Sequence, residues 1–331
     1  MATPFRVVIT DFIKDDLAPE KEILGDLATV EAFDATSEDQ LAGKIESANG
    51  IMLYHSLSLT ARTVQHLNEC KLIVRCGVGY DNVDHALARI HNIPVSNVPD
   101  YGTEEVADSA IALMLALTRG VNYFNVANRD PAISWSYLNA APLHRLRGQT
   151  FGMLGLGRIG TATALRAKAF GLKVVFYDPY TQSGIDKALG ITRVHTLAEL
   201  LPQSNILSIH APLTPETHHM VGAAELAAMP KGSYLVNTAR GAVVDNQAVL
   251  AAITSGHLAG AGLDVLPVEP PANDDPLLVA WRDPNHPAYR RIIINPHAAF
   301  YSVQGLMDMR TKGAFAIRCA LLGQPIPNVV N

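Results

Sequence analysis

The stretch Phe151-Gly152-Met153-Leu154-Gly155-Leu156-Gly157-Arg158-Ile159-Gly160 carries a GxGxxG motif between an apolar run and a segment of helical character. In such a motif the first glycine allows a tight turn, the second lets a pyrophosphate approach the backbone, and the third lets the helix pack closely on the strand. The free N–H groups at the start of the helix would face the anion. The stretch therefore predicts a dinucleotide-binding βαβ unit.

The residues around the motif complete that unit. Thr150–Leu154 is predicted as a buried strand, Arg158–Phe170 as a helix stopped by Gly171, and Lys173–Asp178 as a second strand that ends in an acid. Asp178 follows Gly160 at about the spacing at which a carboxylate accepts hydrogen bonds from the adenosine ribose. Because a carboxylate would repel the 2′-phosphate of NADP, the cofactor expected is NAD. The alternative is a solvated aspartate in a turn.

The composition is that of an ordinary globular protein with room for two domains: 331 residues, 48% hydrophobic and 17% charged. A net charge of −5 gives no basic field for nucleic acid and no polybasic patch for a membrane, so a small-molecule ligand is expected. The N-terminal residues Met-Ala-Thr-Pro-Phe-Arg lack the pattern of a signal peptide, which predicts a cytoplasmic location. Three cysteines without metal-like spacing fit a reducing compartment.

Two arrays of alternating strands and helices are predicted, and each predicts a parallel sheet with helices on its faces. The first contains Arg6–Thr10, Asp15–Leu27, Val30–Phe33, Glu38–Ala48, Gly50–Tyr54, Thr60–Leu67 and Lys71–Arg75. After a long apolar helix, Thr103–Thr118, the second array starts at Thr150 and adds the strands Asn205–His210, Ser233–Asn237, Gly260–Val265 and Arg291–Asn295, followed by a final helix, Ser302–Leu322. The fold class is α/β, with two doubly wound domains and a cleft between them.

Three polar residues follow three predicted strands of the second array. Arg240 comes after Ser233–Asn237, Glu269 after Gly260–Val265, and His297 after Arg291–Asn295. In an open parallel sheet, ligands bind beyond the carboxyl ends of the strands, so all three are candidates for one site. Each alone also fits a structural role: a surface ion pair, a loop acid before Pro270, or a cap at a strand end.

Several separated stretches resemble the D-isomer-specific 2-hydroxyacid dehydrogenases, and the resemblance covers nearly the whole chain. Within that family the chain looks most similar to the C-terminal-binding-protein branch, although that branch usually has tryptophan where this chain has Phe300. The stretches that carry the resemblance are Val74–Asp84, Asn97–Pro99, Ala164–Gly171, Phe176–Tyr180, Asn237–Gly241, Leu263–Val265 with Glu269-Pro270, and Pro296–Ser302.

The resemblance implies roles for individual residues. Arg240 would bind the substrate carboxylate, His297 would donate a proton to the 2-keto oxygen, and Glu269 would orient the imidazole. Substrate binding is also implied for Arg75, Val78, Gly79 and Phe300. The implied NAD-binding residues are Gly155, Gly157, Arg158, Ile159, Gly160, Asp178, Ala211, Pro212, Thr217, Thr238 and Asp264. The loop from Thr214 to Thr217 also fits a capped helix start.

The resemblance further implies a Rossmann NAD domain, residues 101–301, inserted in a flavodoxin-like substrate domain, residues 1–100 and 302–331, and a homodimer formed through the nucleotide domain. Thr103–Thr118 would contribute to the dimer or serve as a core helix. The function implied is NAD-dependent reduction of a small 2-keto acid or oxidation of the D-2-hydroxy acid. A nucleotide-sensing corepressor and a phosphoglycerate dehydrogenase are the alternatives; formate dehydrogenase is disfavoured because it carries glutamine at the position of Glu269.

No metal site is predicted, since the adjacent His218 and His219 would diverge on a helix or strand. The proline-rich excursion Ala272–Tyr289 has three open interpretations: it covers the site, contacts a partner subunit, or lies on the surface.

Overall fold

The computed structural model describes residues 4–331, which form two compact units: residues up to 102 with 301–331, and residues 103–300. These boundaries lie one or two residues from the expected ones. The first three residues of the N-terminal stretch used to predict a location lie outside the described part. Among residues 4–331 no single helix is long and apolar enough to cross a membrane, and one bent helix pair, Thr103–Thr118 with Val121–Ala127, passes by length and composition alone.

The strands and helices alternate along the chain. The strands are β1 Phe5–Ile9, β2 Ala28–Ala32, β3 Gly50–Leu53, β4 Leu72–Arg75, β5 Val95–Asn97, β6 Thr150–Leu154, β7 Lys173–Tyr177, β8 Thr192–Val194, β9 Ile206–Ile209, β10 Ser233–Asn237, β11 Leu258–Leu263 and β12 Ile292–Ile294. The helices are α1 Ala18–Leu24, α2 Ala61–Val64, α3 His85–Ile90, α4 Thr103–Thr118, α5 Val121–Ala127, α6 Arg158–Ala169, α7 Ile185–Leu189, α8 Leu197–Leu200, α9 Ala223–Ala228, α10 Asn246–Thr254, α11 Pro276–Arg282, α12 Ala288–Arg291 and α13 Val303–Leu321.

The first unit is built on a five-stranded sheet with the order β2-β1-β3-β4-β5, and every neighbouring pair is parallel. This is the flavodoxin-like order, in which the chain starts near one edge and winds to both sides. Helix α13 returns to this unit and is anchored there by Arg310, which pairs with Asp15 and with the buried Glu20.

The second unit is built on a seven-stranded parallel sheet with the order β12-β11-β10-β9-β6-β7-β8. Counted within the unit, the order is 3-2-1-4-5-6 with a seventh strand at the far edge, which is the dinucleotide-binding arrangement. The order reverses between β6 and β9, so the loops after these two strands lie at the switch point where ligands bind in doubly wound sheets. The predicted α/β fold class is therefore confirmed.

The predicted and observed ends of strands and helices agree best where a glycine or a capping residue marks the end. The structure has β6, β10 and α4 at the predicted residues, and Ser302 caps α13. The predicted helix Glu38–Ala48 is wrong: only one 3₁₀ turn, Glu38–Gln40, forms, and turns follow. Gly43 adopts φ +75°, which ends helical geometry, although Leu41 and Ile45 are still buried at helical spacing. The short strands β5 and β8 were not predicted.

Helix α4 lies in the core of its unit. Eight of its residues are buried, and it packs against α6, β10 and β11. Of the two roles expected for this helix, the structure supports the core role.

Candidate active site

The glycine motif links β6 to α6 as the sequence predicts, and two of its glycines are required by close backbone contacts. Gly155 adopts φ +93°, and a Cβ there would lie 2.7 Å from the carbonyl carbon of His210. A Cβ on Gly160 would lie 2.7 Å from the carbonyl oxygen of Gly155. At Gly157 a Cβ would meet no atom within 4 Å. The middle glycine therefore leaves open space at the start of α6, which fits an approaching phosphate.

The backbone at the start of α6 offers donors for that anion. Leu156 N–H donates to the side chain of Asp178, but the N–H groups of Gly157, Arg158 and Ile159 have no acceptor within the described residues. The first N–H groups of a helix are unpaired by geometry and attract anions. Burial lowers the pKa of the neighbouring His210 to about 4, so its ring is neutral at pH 7.

Asp178 directly follows β7 and stabilises the glycine turn through hydrogen bonds. One carboxylate oxygen accepts from Leu156 N–H and the other from Tyr180 N–H, both at 2.8 Å. Arg193, which sequence reasoning missed, donates to the carbonyl oxygen of Asp178 at 2.8 Å. Each carboxylate oxygen has a second lone pair, so these bonds leave acceptor capacity for a ribose hydroxyl.

The loop after β9 lies against the glycine turn, because the backbone of Ala211 is 2.8 Å from the position of a Gly155 Cβ. Thr217 closes this loop: its hydroxyl donates to the carbonyl of Pro212 at 2.6 Å and accepts from Thr214 N–H at 2.8 Å. The alternative interpretation of residues 214–217 as a helix start does not hold, since the chain forms turns there. The side-chain oxygen of Thr217 caps a turn, which competes with helix formation.

The expected catalytic residues follow β10, β11 and β12, which are neighbours in the sheet. Arg240 is half-buried and starts a 3₁₀ turn, and the side chain of Asn237 donates to its carbonyl at 2.9 Å. The next residue, Gly241, lies so close to the loop after β11 that a Cβ would come within 2.0 Å of the carbonyl carbon of Leu266. This contact brings Arg240 beside the loop that carries Glu269.

Glu269 and His297 form a hydrogen-bonded pair, with 2.6 Å between Glu269 Oε2 and His297 Nδ1. The other Glu269 oxygen accepts from Leu266 N–H at 2.7 Å, so the carboxylate is fixed at both ends. Burial opposes its ionisation, but the hydrogen bond and charge of His297 and the nearby charge of Arg240 lower the pKa of Glu269 overall. The pair is therefore an ionised carboxylate against Nδ1 of the imidazole.

Asp264 holds the backbone on which His297 sits. Its carbonyl accepts from His297 N–H at 2.8 Å, and its carboxylate accepts from Ala298 and Ala299 N–H at 3.0 Å. Burial raises the pKa of Asp264, against the effect of those two N–H donors. His297 itself has φ +53°, an uncommon backbone conformation that these bonds hold in place.

Thr238 lies directly after β10 with a buried hydroxyl that finds no hydrogen-bond partner among residues 4–331. Buried polar atoms are nearly always paired, so this one fits a ligand that supplies the missing partner. Phe300 is buried, and its ring meets that of His297 edge to face at 6.1 Å.

The first unit holds the other residues assigned to the substrate at the end of β4. The Arg75 side chain is buried and donates to the carbonyl of Cys76 at 3.3 Å. It lies so close to Gly77 that any Cβ there would collide with the guanidinium. The backbone N–H groups of Val78 and Gly79 have no acceptor in the described part of the chain, which leaves them free to bind a carboxylate.

Other sequence features have structural roles. The rings of His218 and His219 stack at 4.1 Å, so the expectation that they diverge is wrong; they lie in a turn, not on a helix or strand. Within residues 4–331 no three His, Cys, Asp or Glu side chains form a metal-binding group. The excursion 272–289 is not a surface loop: it contributes α11 and the start of α12, and Leu277 and Ala288 pack in the core beside the sheet.

Comparisons with known proteins give a consistent result. Residues 111–299 match the family described as D-isomer specific 2-hydroxyacid dehydrogenase, NAD binding domain. C-terminal-binding protein 1 of Caenorhabditis elegans is 34% identical over 93% of this chain, and D-3-phosphoglycerate dehydrogenase of Methanocaldococcus jannaschii is 31% identical over 98%. The chain spans 42% and 59% of those two proteins. The solved structure of D-lactate dehydrogenase from Aquifex aeolicus, a complex with NAD and lactic acid, is 28% identical, has a TM-score of 0.86, and is covered over 98% of both chains.

Proposed function

The chain belongs to the D-isomer specific 2-hydroxyacid dehydrogenase family and contains its NAD-binding domain, and from this we propose that it is an NAD-dependent oxidoreductase that interconverts a small 2-keto acid and the D-2-hydroxy acid. The substrate is a small carboxylic acid with an oxygen on the neighbouring carbon. The observation that carries the proposal is the Glu269–His297 pair beside Arg240, at the carboxyl ends of three adjacent strands.

His297 is the acid–base group in this proposal. During reduction its Nε2–H gives a proton to the keto oxygen as that oxygen becomes a hydroxyl; during oxidation the neutral ring takes the proton back. Glu269 keeps Nδ1 protonated and fixes the plane of the ring, through the bond of 2.6 Å. The ionised carboxylate also stabilises the imidazolium that reduction needs.

Arg240 is proposed to bind the substrate carboxylate and to polarise the keto oxygen. A guanidinium can hold a carboxylate through two parallel hydrogen bonds, and it stays charged at neutral pH. The assignments of Arg75, Val78, Gly79 and Phe300 to substrate binding follow from the family resemblance and remain predictions.

NAD fits the residues of the second unit. The open space at Gly157, the unpaired N–H groups at the start of α6 and the orphaned hydroxyl of Thr238 are what a pyrophosphate and a polar ligand would use. When bound, NAD accepts or supplies the hydride. We propose that Asp178 binds the ribose and disfavours NADP, with Ala211, Pro212 and Thr217 lining the same site.

We also propose a homodimer formed through the second unit. Trp135 is 89% exposed and Tyr137 is 79% exposed, with Leu138 beside them. A cluster of large exposed apolar side chains on one segment is typical of an interaction surface. The cytoplasmic location remains a prediction.

Two alternatives remain, a corepressor of the C-terminal-binding-protein type and a phosphoglycerate dehydrogenase; a C-terminal-binding protein and a D-3-phosphoglycerate dehydrogenase are both relatives, and the chain spans only part of each. Measuring enzymatic turnover distinguishes these alternatives from the proposed function. We expect purified protein to oxidise NADH in the presence of pyruvate or glyoxylate. His297→Asn should remove at least about a hundredfold of kcat, the usual contribution of a positioned acid–base group, while NADH binding by fluorescence is retained. Turnover of D-3-phosphoglycerate alone would favour the second alternative, and NADH binding without turnover of any acid would refute the proposal.

Two alanine substitutions in the glycine motif test the cofactor site. Gly157→Ala adds a methyl group in open space and Gly160→Ala adds one 2.7 Å from a backbone oxygen. We expect Gly157→Ala to keep its Tm and lose NADH affinity, because the methyl group occupies the space left for the pyrophosphate. Gly160→Ala should lower the Tm. Unchanged NADH affinity in folded Gly157→Ala would contradict the assignment of this turn to the pyrophosphate.

A further inference from the structure

The second unit contains a cavity of about 340 Å³ that takes no part in the proposed reaction. It is bounded by the end of α4, the start of α5, the segment 139–144, and the residues that precede β10, β11 and β12. A cavity of this volume is in the range that holds a small molecule.

Three cations line the cavity, and each precedes a strand. Lys231 lies just before β10, and Arg290 and Arg291 lie just before β12. Because β10, β11 and β12 are parallel neighbours, their amino ends meet at one edge of the sheet and bring these side chains together.

The positive charge is not compensated. The cavity lining contains no Asp or Glu, and Lys231, Arg290 and Arg291 form no ion pair with a carboxylate in the described chain. Arg290 is positioned by aromatic rings instead, with its guanidinium 6.0 Å from the ring centres of Tyr123 and Tyr289. Its Nε is buried and finds no acceptor among residues 4–331.

A buried guanidinium donor without an acceptor is costly, and an anion in the cavity would satisfy it. Further polar side chains on the lining are those of Asn139, His144 and Tyr234. A pocket with several cations, polar donors and no acid concentrates small anions from solution.

The cavity is separate from the residues proposed for catalysis. Arg240, Glu269 and His297 follow the carboxyl ends of the same three strands whose amino ends border the cavity. A strand of five residues spans about 17 Å at roughly 3.3 Å per residue, so one small ligand cannot reach both edges.

We propose that this cavity is a second binding site of the protein, for a small anion that carries phosphate or carboxylate groups. The anion pairs with Lys231, Arg290 and Arg291.

Isothermal titration calorimetry of the full chain tests this, with citrate and inorganic phosphate as probes and glycerol as the uncharged comparison. We expect one citrate or phosphate per chain and no binding of glycerol. The stronger of the two anions identifies the ligand class as polycarboxylate or phosphate. Lys231→Gln with Arg291→Gln should weaken binding about tenfold or more, because two charge-assisted contacts are lost. The matched control, Lys173→Gln with Lys187→Gln, removes two exposed charges of the same unit outside the cavity and should leave the affinity unchanged.

Arg240→Gln separates the cavity from the proposed reaction site: it should retain citrate binding, and loss of binding in this variant would overturn the proposal. Failure of both anions to bind the unaltered protein would also overturn it, as would equal affinity in the cavity variant and its control. Lys231→Gln alone changes only an exposed side chain and gives a smaller loss in the same direction if the double variant does not fold. A cavity variant that changes the sedimentation coefficient but not anion affinity would assign the cavity to a second copy of the chain and refute the anion site.

Discussion

The charge of Glu269 should set the pH dependence of turnover, and Glu269→Gln tests this. The substitution keeps the shape and a hydrogen-bond acceptor for His297 Nδ1, now 2.6 Å from Glu269 Oε2, but removes the negative charge. A hydrogen bond to a charged group contributes about 1.5–3 kcal/mol and a neutral one about 0.5–1.5 kcal/mol. The two side chains are 21% and 33% exposed, so solvent screens part of the difference. The difference is about 1 kcal/mol before screening, so the pH edges should move by at most about one pH unit.

The direction follows from the protonation state that each reaction needs. Reduction needs the imidazolium, which a carboxylate stabilises by its charge, so the alkaline edge of the reductive pH profile should move to lower pH in Glu269→Gln. Oxidation needs the neutral ring, so its acidic edge should move down by the same amount. The lowered pKa of Glu269, in which burial is outweighed by His297, keeps the carboxylate ionised across this range.

The assay is kcat/KM against pH in both directions, with the 2-keto acid and hydroxy acid that support turnover. Glu199→Gln is the matched control, because Glu199 also accepts from a backbone N–H, that of His195, but lies outside the site. A loss of activity without movement of either edge would mean that Glu269 only supports packing. Movement of only one of the two pH edges would refute the proposal that His297 carries the proton in both directions of the reaction.

Three further outcomes are expected. Arg240→Lys keeps the charge but cannot form two parallel hydrogen bonds to a carboxylate, so kcat/KM for the keto acid should fall roughly ten- to a hundredfold. The control Arg282→Lys, on the exposed side of α11, should leave kcat/KM unchanged. Full activity in Arg240→Lys would mean that Arg240 has a structural role only. Asp178→Ser should narrow the preference for NADH over NADPH about tenfold, the effect of roughly 1.4 kcal/mol of like-charge repulsion, and equal kcat/KM for both cofactors in the unaltered protein would contradict the role of Asp178. The hydrogen bond from Arg310 lowers the pKa of Asp15 below its ordinary value of 3.8, so its stabilisation is fully present well above pH 3.8 and is lost as the pH falls through the lowered pKa. Urea unfolding should therefore show a smaller loss of stability for Asp15→Asn at pH 3 than at pH 7, and an equal loss at both would show that the ion pair is not the cause.

The sequence predicts the elements whose ends are marked by local chemistry. Glycine residues around β6 and the regular apolar spacing of α4 determine those bounds, and the structure has them unchanged. Residues 38–48 show the limit of the method: Leu41 and Ile45 have helical spacing, but Gly43 turns the chain, and burial alone does not make a helix. A three-residue strand such as β8 has too few residues for a periodic pattern.

The sequence groups the candidate site residues, but it does not show the hydrogen bonds that support them. Arg240, Glu269 and His297 could be grouped because each follows a strand of one parallel sheet. The second bond of Asp178 to Leu156, across the glycine turn, has no signature in the sequence, because it depends on how the turn is oriented. The cations of the cavity come from positions 231, 290 and 291, and nothing in the sequence relates them before the sheet order is known.

The carboxyl ends of β10, β11 and β12 show why the expected catalytic residues are held rigidly. The hydrogen-bond ladder continues beyond the strands: Asp264 N–H donates to the carbonyl of Asn237 at 2.9 Å, and His297 N–H donates to the carbonyl of Asp264 at 2.8 Å. The Asp264 carboxylate then accepts from Ala298 and Ala299, which fixes the turn in which His297 has φ +53°. Asp264 is therefore a positioning residue on this geometry: its buried side chain holds the backbone on both sides of the imidazole, while Glu269 holds the ring. The backbone of His297, the proposed proton-transfer residue, is thus held by bonds that continue the sheet, whereas its ring depends on Glu269 in the loop after β11.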